Sequence, residues 1–178
     1  MNRYRLEQAI AEVGRRTQLD YFYVIGSAAV FACLPDMTDE ALVATRDVDV
    51  IPSPPLPADI DRFIDQIDMV LGEGSPFDDE NGWYVQGVDF TTPGYAPRSW
   101  KERVIPVRSA SYTGLCMEIH DLVLSKYGIG REKDLDFTRV LAKSGRINQE
   151  TLLNRLHEIN AETVVVERIA ARIRVDFS

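Results

Sequence analysis

The segments VIGS (residues 24–27) and TRDVDV (residues 45–50) decide the fold of this chain. The first segment ends an apolar, β-rich run that begins at Tyr21, which predicts a buried strand over residues 21–25. Gly26-Ser27 then interrupts the strand, and residues 28–32 read as the start of a helix. Residues 46–51 alternate between polar and apolar side chains, which predicts a second strand with one solvated face.

Asp47 and Asp49 are the first candidates for chemistry, because side chains two positions apart on a strand lie on the same face. Val48 and Val50 then point into the core. Two adjacent carboxylates repel each other unless a cation or a proton lies between them. Mg²⁺ suits such a pair, since it prefers oxygen ligands and keeps positions free for phosphate oxygens. A solvated strand edge without function is the alternative reading of the pair.

Gly26 and Ser27 are the second pair of candidates. A glycine between a strand and a helix lets the backbone approach a ligand closely. A serine hydroxyl beside the first helical N–H groups favours an anion such as a phosphate. An ordinary strand-to-helix turn with a serine cap is the alternative. The phosphate-type turn and the Asp-x-Asp strand together are more specific than either feature alone.

The remaining pattern predicts a mixed α/β (α+β) fold with a C-terminal helical part. Helices are expected over residues 3–18, 58–71, 119–127, 131–143, 148–157 and from 162 onward, further strands over 83–90 and 103–107, and loops over 35–45 and 72–82. We expect a core formed by residues 1–115 and a helical part, residues 116–178, that packs on it.

Charge and cysteine content narrow the class of protein. The net charge of −8 argues against broad contact with nucleic acid. Residues 1–100 are acidic, whereas basic residues exceed acidic ones in residues 101–146. Cys33 and Cys116 lie far apart in apolar sequence, as is typical of free thiols in a reducing compartment. No apolar run is long enough to span a bilayer, so we expect a cytoplasmic protein.

The two opening segments resemble the signature of DNA-polymerase-β-type nucleotidyltransferases. In that superfamily a Gly-Ser or Gly-Gly turn precedes an Asp-x-Asp or Asp-x-Glu strand. The run TRDVDV is similar to bacterial minimal nucleotidyltransferases, including abortive-infection toxins of the AbiEii kind. The segments HDLVLSK (120–126) and GREKD (130–134) resemble later motifs of those toxin-like families. The likeness extends over roughly residues 20–140.

The resemblance implies a Mg²⁺-dependent enzyme that transfers a nucleotidyl group from an NTP to an RNA, protein or small-molecule acceptor. Asp47 and Asp49 would hold one or two Mg²⁺ ions, with two ions favoured. The residues implied in nucleotide binding are Gly26, Ser27, Arg46, Lys126, Arg131, Lys133 and Asp134. A cognate toxin or antitoxin protein would be a further partner. A catalytically inactive domain that binds a nucleotide or a protein, and a plain α/β scaffold, are the alternatives.

The sequence departs from the superfamily pattern in two places. The gap between Ser27 and Asp47 is unusually long, so residues 35–44 would form an inserted loop that shapes or blocks the pocket. The third carboxylate of the metal site is also not evident. Asp89 lies on the predicted third strand and is the candidate for this catalytic and metal-binding role. A strand-end aspartate that feeds the turn at Thr91 is the alternative.

Three aromatic side chains are candidates for stacking on a nucleotide base: Trp83, Tyr84 and Trp100. We expect packing in the core or in a loop instead, because large aromatic side chains most often contribute buried area.

Overall fold

The computed structural model describes residues 1–54, 56 and 59–178. Its strands are β1 (Tyr21–Ile25), β2 (Asp47–Pro52), β3 (Tyr84–Gly87), β4 (Ile105–Ser109) and β5 (Tyr112–Cys116). Its helices are α1 (Arg3–Thr17), α2 (Val30–Cys33), α3 (Glu40–Val43), α4 (Ile60–Leu71), α5 (Pro76–Asn81), α6 (Ile119–Ile129), α7 (Glu132–Lys143), α8 (Gln149–Arg155) and α9 (Thr163–Asp176). The mixed α/β class is confirmed, although the predicted helix start at Ala58 lies outside the described residues.

The described strands form one mixed sheet in the order β3-β2-β1-β5-β4. β1 lies at the centre, antiparallel to β2 and parallel to β5. β3 runs parallel to β2, and β4 runs antiparallel to β5. Four of the five residues in β1 are buried, as expected for a central strand that is covered on both faces. The sheet therefore fixes the end of β1 directly beside β2.

The sequence did not predict β5, the strand that completes the centre of the sheet. β5 contains Gly114, whose type weakens a strand signal because it offers no side chain to pack. The structure explains the glycine: a Cβ on Gly114 would lie 2.7 Å from Cδ1 of Ile10 in α1. A two-residue turn at Ala110 and Ser111 joins β4 to β5. The close packing of α1 on this strand therefore explains why a glycine occupies a position where a β-branched residue is more usual.

Two segments predicted as loops contain short helices instead. Asp39 caps α3 by accepting a hydrogen bond from the N–H of Ala41, and Ser75 caps α5 by accepting one from Asp78. Pro76 occupies the first turn of α5, where its missing N–H has no consequence. These local caps were the signals that the prediction overlooked.

The third strand is shorter than the predicted span of 83–90, because β3 ends at Gly87. The N–H of Gly87 donates to Oδ1 of Asp68 at 2.9 Å, and a Cβ on Gly87 would lie 2.7 Å from Cα of Ile64. Helix α4 thus packs so closely on the strand end that the chain turns away after it. Asp89 consequently lies beyond β3.

An ion-pair cluster ties the C-terminal helices to the loop before β4. Arg103 binds both oxygens of the buried Asp121 in α6, and it also pairs with Glu158. Arg155 of α8 pairs with Asp121 and with Glu118. Buried polar groups satisfied in this way fix one arrangement of the elements. The boundary between residues 115 and 116 itself stays a prediction.

Two further findings concern the predicted cellular setting. Cys33 and Cys116 are both free. Within the described ranges, no helix combines the length and the apolar character needed to cross a membrane.

We predict that Gly14→Ala destabilises the protein although alanine favours helices. Gly14 is buried in α1, and a Cβ there would overlap the ring of Tyr112 in β5. The helix gains about 1 kcal/mol from alanine, but overpacking costs about 1–3 kcal/mol. Urea unfolding should show a net loss of stability. The double variant with Tyr112→Ala should recover part of that loss, and equal losses in both backgrounds would contradict the packing argument.

Candidate functional site

The turn after β1 brings the chain against β2. Gly26 has φ 67°, a left-handed conformation that favours glycine. Ser27 begins the 3₁₀ turn Ser27–Ala29, which leads into α2. A Cβ on Gly26 would overlap Oδ2 of Asp49. Both backbone angle and space therefore require glycine at this position.

The two acidic side chains of β2 lie on one face of the sheet and next to this turn. Ile25 pairs with Asp49 across the antiparallel strands. Val48 and Val50 are fully buried, whereas Asp47 and Asp49 are partly exposed. The hydroxyl of Thr45 donates to Oδ1 of Asp47. The predicted common face of the two carboxylates, and their closeness to Gly26, agree with the structure.

The electrostatics of this carboxylate pair favour a cation. Burial and the neighbouring Asp47 raise the pKa of Asp49 to about 7, against the opposing effect of Lys126, Arg131 and Lys133. A carboxyl group that is costly to ionise is stabilised when a positive ion lies beside it. Two carboxylate donors on one face, open to a cleft, match the oxygen ligands that Mg²⁺ prefers. The residues present therefore fit a divalent metal ion.

Lys126 of α6 lies opposite the turn and is buried. Its ammonium donates to Oγ of Ser27 at 2.9 Å and to Oδ1 of Asp134 at 2.9 Å. It also lies 4.5 Å from the centre of the Phe137 ring. Burial lowers the pKa of Lys126, while the bond to Asp134 opposes that shift. The lysine is thus held beside the turn by Ser27 and by two side chains of α7.

Asp134 of α7 is fully buried and acts as the anchor of two cations. Its carboxylate accepts from Lys126 and, at 2.7 Å, from Nε of Arg131. Burial alone would raise the pKa of Asp134, but the hydrogen bonds from Arg131 and Lys126 hold it below its usual value. Both oxygens of Asp134 are therefore occupied, and it positions cations instead of facing the carboxylates of β2.

These side chains surround an open cleft of about 390 Å³, here called cleft A. It is lined by the Gly26–Ser27 turn and by Asp47 and Asp49. Lys126, Arg131, Lys133 and Asp134 line the same cleft. Carboxylates and cations thus share one cleft, which is the combination needed to hold a metal ion and a phosphate chain together.

Comparison with known proteins agrees with this geometry. The family model described as nucleotidyltransferase of unknown function (DUF6036) matches residues 3–177. The chain belongs to this family. No curated protein and no solved structure shows a significant match. The nucleotidyltransferase superfamily predicted from the two motifs is confirmed, whereas the likeness to abortive-infection toxins stays a prediction.

Two predicted site residues lie outside cleft A. Asp89 is fully exposed, and its Oδ1 accepts hydrogen bonds from Thr91 and Thr92 in the turn after β3. Those hydrogen bonds lower the pKa of Asp89. Arg46 is directed to α5, where it donates to Oδ1 of Asp78 at 2.8 Å. These contacts match the alternative interpretation of Asp89, a strand-end aspartate that feeds the turn at Thr91. A catalytic role of Asp89 stays a prediction.

Gln86 lines cleft A but was not singled out by sequence reasoning. In the parallel β2–β3 pair, Asp49 is in register with Gln86, and Asp47 with Tyr84. Gln86 lines cleft A beside the carboxylates. Alternation along β3 was the available signal, since residues 84 and 86 share one face. The strand next to Asp49 therefore presents an uncharged amide.

A second cleft of about 340 Å³, here called cleft B, adjoins cleft A at Asp47. Tyr84 and Arg46 line one side of it. Ala41 and Ala44, at the surface of the short helix α3, line another side. The inserted segment 35–44 therefore borders a second cleft and does not line cleft A.

We predict that Asp134→Ala costs about 3–5 kcal/mol of stability, because the buried Lys126 would lose its charge partner. Asp136→Ala is the matched control on the same helix, since Asp136 forms an exposed pair with Arg139. That change should cost at most about 0.5 kcal/mol. Chemical unfolding of both variants provides the measurement. Similar losses in the two variants would show that the buried pair has no special importance.

Proposed function

We propose that this protein is a Mg²⁺-dependent nucleotidyltransferase that moves an NMP group from an NTP to an acceptor. The proposal rests on one observation: Asp47 and Asp49 line the same cleft as Lys126 and Arg131. The acceptor would be an RNA, a protein or a small molecule. Membership of a nucleotidyltransferase family supports the reaction class.

The chain's own residues account for binding of the triphosphate. The backbone N–H groups after Gly26 and the hydroxyl of Ser27 offer hydrogen bonds to phosphate oxygens. Lys126, Arg131 and Lys133 neutralise phosphate charge, and fixed donors of this kind supply most of the rate in phosphoryl transfer. Asp134 keeps two of these cations in place.

Asp47 and Asp49 would hold the metal, and Gln86 offers an amide oxygen next to them. When bound, Mg²⁺ would supply charge neutralisation at the α-phosphate and at the leaving pyrophosphate. Two ions are expected, as in other sites that clamp attacking and leaving oxygens.

The second candidate function is binding without catalysis. In the part of the chain that the structure describes, no group of three or more His, Cys, Asp or Glu side chains is placed to hold a metal ion. Gln86 lies where a third carboxylate beside Asp49 would complete such a group. A domain of this kind would bind a nucleotide or a protein partner.

We also propose a cytoplasmic setting and a partner protein. The two free thiols support a reducing compartment. The likeness of residues 45–50 to bacterial toxin-like nucleotidyltransferases supports a role in a toxin–antitoxin pair. Co-purification of a partner encoded beside this chain would be the direct test of that role.

The double variant Asp47→Asn/Asp49→Asn should lose Mg²⁺-dependent transfer from labelled NTPs by about 100-fold or more, because the carboxylates that hold the metal are gone. Total RNA and the protein itself serve as acceptors, and calorimetry measures NTP binding with Mg²⁺. Asp65→Asn, an exposed change on α4, is the control and should behave as wild type. NTP binding without transfer by wild type would support the second function. Absence of NTP binding would refute the transferase and leave only the binding of a protein partner.

We predict that Gln86→Glu strengthens binding of Mn²⁺ in the absence of nucleotide by about tenfold, since a third carboxylate adds attraction and a charged oxygen ligand. Gln149→Glu, on α8, adds the same charge away from cleft A and should leave the affinity unchanged. Calorimetric titration measures both variants. An unchanged affinity in Gln86→Glu would show that this residue does not face the ion.

A further inference from the structure

The two clefts meet at the centre of the proposed reaction. The two clefts share five of their lining residues: Ser27, Thr45, Asp47, Lys126 and Lys133. A ligand in cleft A and a ligand in cleft B would therefore approach each other beside Asp47. A group-transfer enzyme needs such a meeting point, because its two substrates must lie within bonding reach at one set of catalytic groups.

We propose that cleft B binds the acceptor, and that the acceptor is a nucleotide whose base stacks on Tyr84. The proposal rests on the function proposed above and adds the class of acceptor to it. The ligand chemistry that cleft B would recognise is an aromatic base attached to a sugar that carries a hydroxyl and a phosphate. A free nucleotide and the terminal nucleotide of an RNA both present these groups.

The donor triphosphate belongs in cleft A. Gly26, Asp49 and Arg131 line cleft A but not cleft B. These residues provide the close backbone approach, the second carboxylate and an additional cation. Cleft A thus has three features for binding the metal and the triphosphate that cleft B lacks, which leaves cleft B for the second substrate.

Tyr84 has the surroundings of a stacking platform. It lies half-buried on β3, the edge strand of the sheet, in register with Asp47. The guanidinium of Arg46 lies 6.0 Å from the centre of its ring. Arg46 is fixed there by Asp78 and by the carbonyl of Gly82 at 3.1 Å. Aromatic rings and arginine planes are the side chains on which unpaired bases stack.

Trp83 and Trp100 do not offer a comparable surface. Trp83 is 2% exposed and packs edge-to-face on Phe77, and Trp100 is 6% exposed and packs in the same way on Tyr23. The expectation of core packing therefore agrees with the structure for these two residues. Tyr84 is the candidate stacking residue that lines a cleft next to the carboxylates.

The charges around cleft B favour a single nucleotide over a longer bound strand. Lys133 is exposed at the border of the two clefts, and among the described residues no ion pair engages it. From the border of the clefts, its ammonium can contact one phosphate of the acceptor as well as the donor triphosphate. Glu73 is exposed on the same cleft and would repel a continuing phosphate chain. The overall charge of −8 acts in the same direction.

The proposed step balances without a further reactant. The sugar hydroxyl oxygen of the acceptor forms a bond to the α-phosphorus of the NTP. The bond between that phosphorus and the bridging oxygen breaks, and pyrophosphate leaves with the electron pair. The hydroxyl proton passes to water. The product is a nucleotide joined to the acceptor through a new phosphodiester.

The test compares Tyr84→Ala with Tyr84→Phe in the full chain. Cleft A is filled with Mg²⁺ and a non-hydrolysable NTP, and fluorescence anisotropy then measures binding of two labelled probes, a mononucleotide and a short RNA. Tyr84→Ala should weaken probe binding by about tenfold or more, since one base loses its stacking partner. Tyr84→Phe keeps the ring and should stay within about twofold of wild type. Tyr4→Ala removes an exposed tyrosine on α1 and is the control.

The outcomes separate this proposal from the one on which it rests. Binding of NTP should be the same in all three variants, with circular dichroism confirming the fold. If wild type binds no NTP, the proposed function fails. If NTP binds but Tyr84→Ala binds both probes as wild type does, or if transfer reaches only protein hydroxyls, the acceptor proposal is wrong. Preference for the RNA or for the mononucleotide identifies the source of the acceptor.

Discussion

The close approach of Gly26 to the carboxylate of Asp49 is the constraint on which the rest of the site depends. It exists because β1 and β2 are antiparallel neighbours with Ile25 opposite Asp49. The positive φ angle at Gly26 then directs the chain into the Ser27–Ala29 turn and away from the carboxylate of Asp49. Any side chain at this position would displace the carboxylate. The turn proposed to bind phosphate and the strand proposed to hold the metal are therefore one structural unit.

Helices from the far end of the chain complete this unit. Lys126 and Asp134 form a buried ion pair, and Lys126 also reaches Ser27. Burying such a pair costs desolvation energy and contributes little net stability. Its retention beside a cleft is better explained by function, because it fixes an ammonium group where phosphates would bind. Arg131 is added to the same carboxylate from the start of α7.

The residues around Asp47 and Asp49 limit the negative charge of the site and border the clefts through which ligands would reach it. Gln86 places an amide beside Asp49, so that side of the site is less negative than three carboxylates would make it. Residues 35–44, in the long gap between Ser27 and Asp47, do not line cleft A, and their short helix instead borders cleft B. In the proposed reaction these two features bear on the number of bound cations and on the acceptor, which are properties that vary between enzymes sharing one fold.

The sequence alone determined the long amphipathic helices, the strands predicted over 21–25 and 46–51, and the pairing of Gly26-Ser27 with Asp47 and Asp49. Local periodicity and backbone preference encode these features, and the motif is specific because it combines two of them. The tertiary structure alone decided three others. Strand β5 was not predicted because Gly114, which makes room for Ile10, weakens the strand signal. The end of β3 is set by packing of Gly87 on α4, and the orientations of Arg46, Gln86 and Asp89 are set by their neighbours. Each depends on a neighbour distant in the chain. Contacts of that kind leave no period in the sequence, which is why the carboxylate pair was predictable and its surroundings were not.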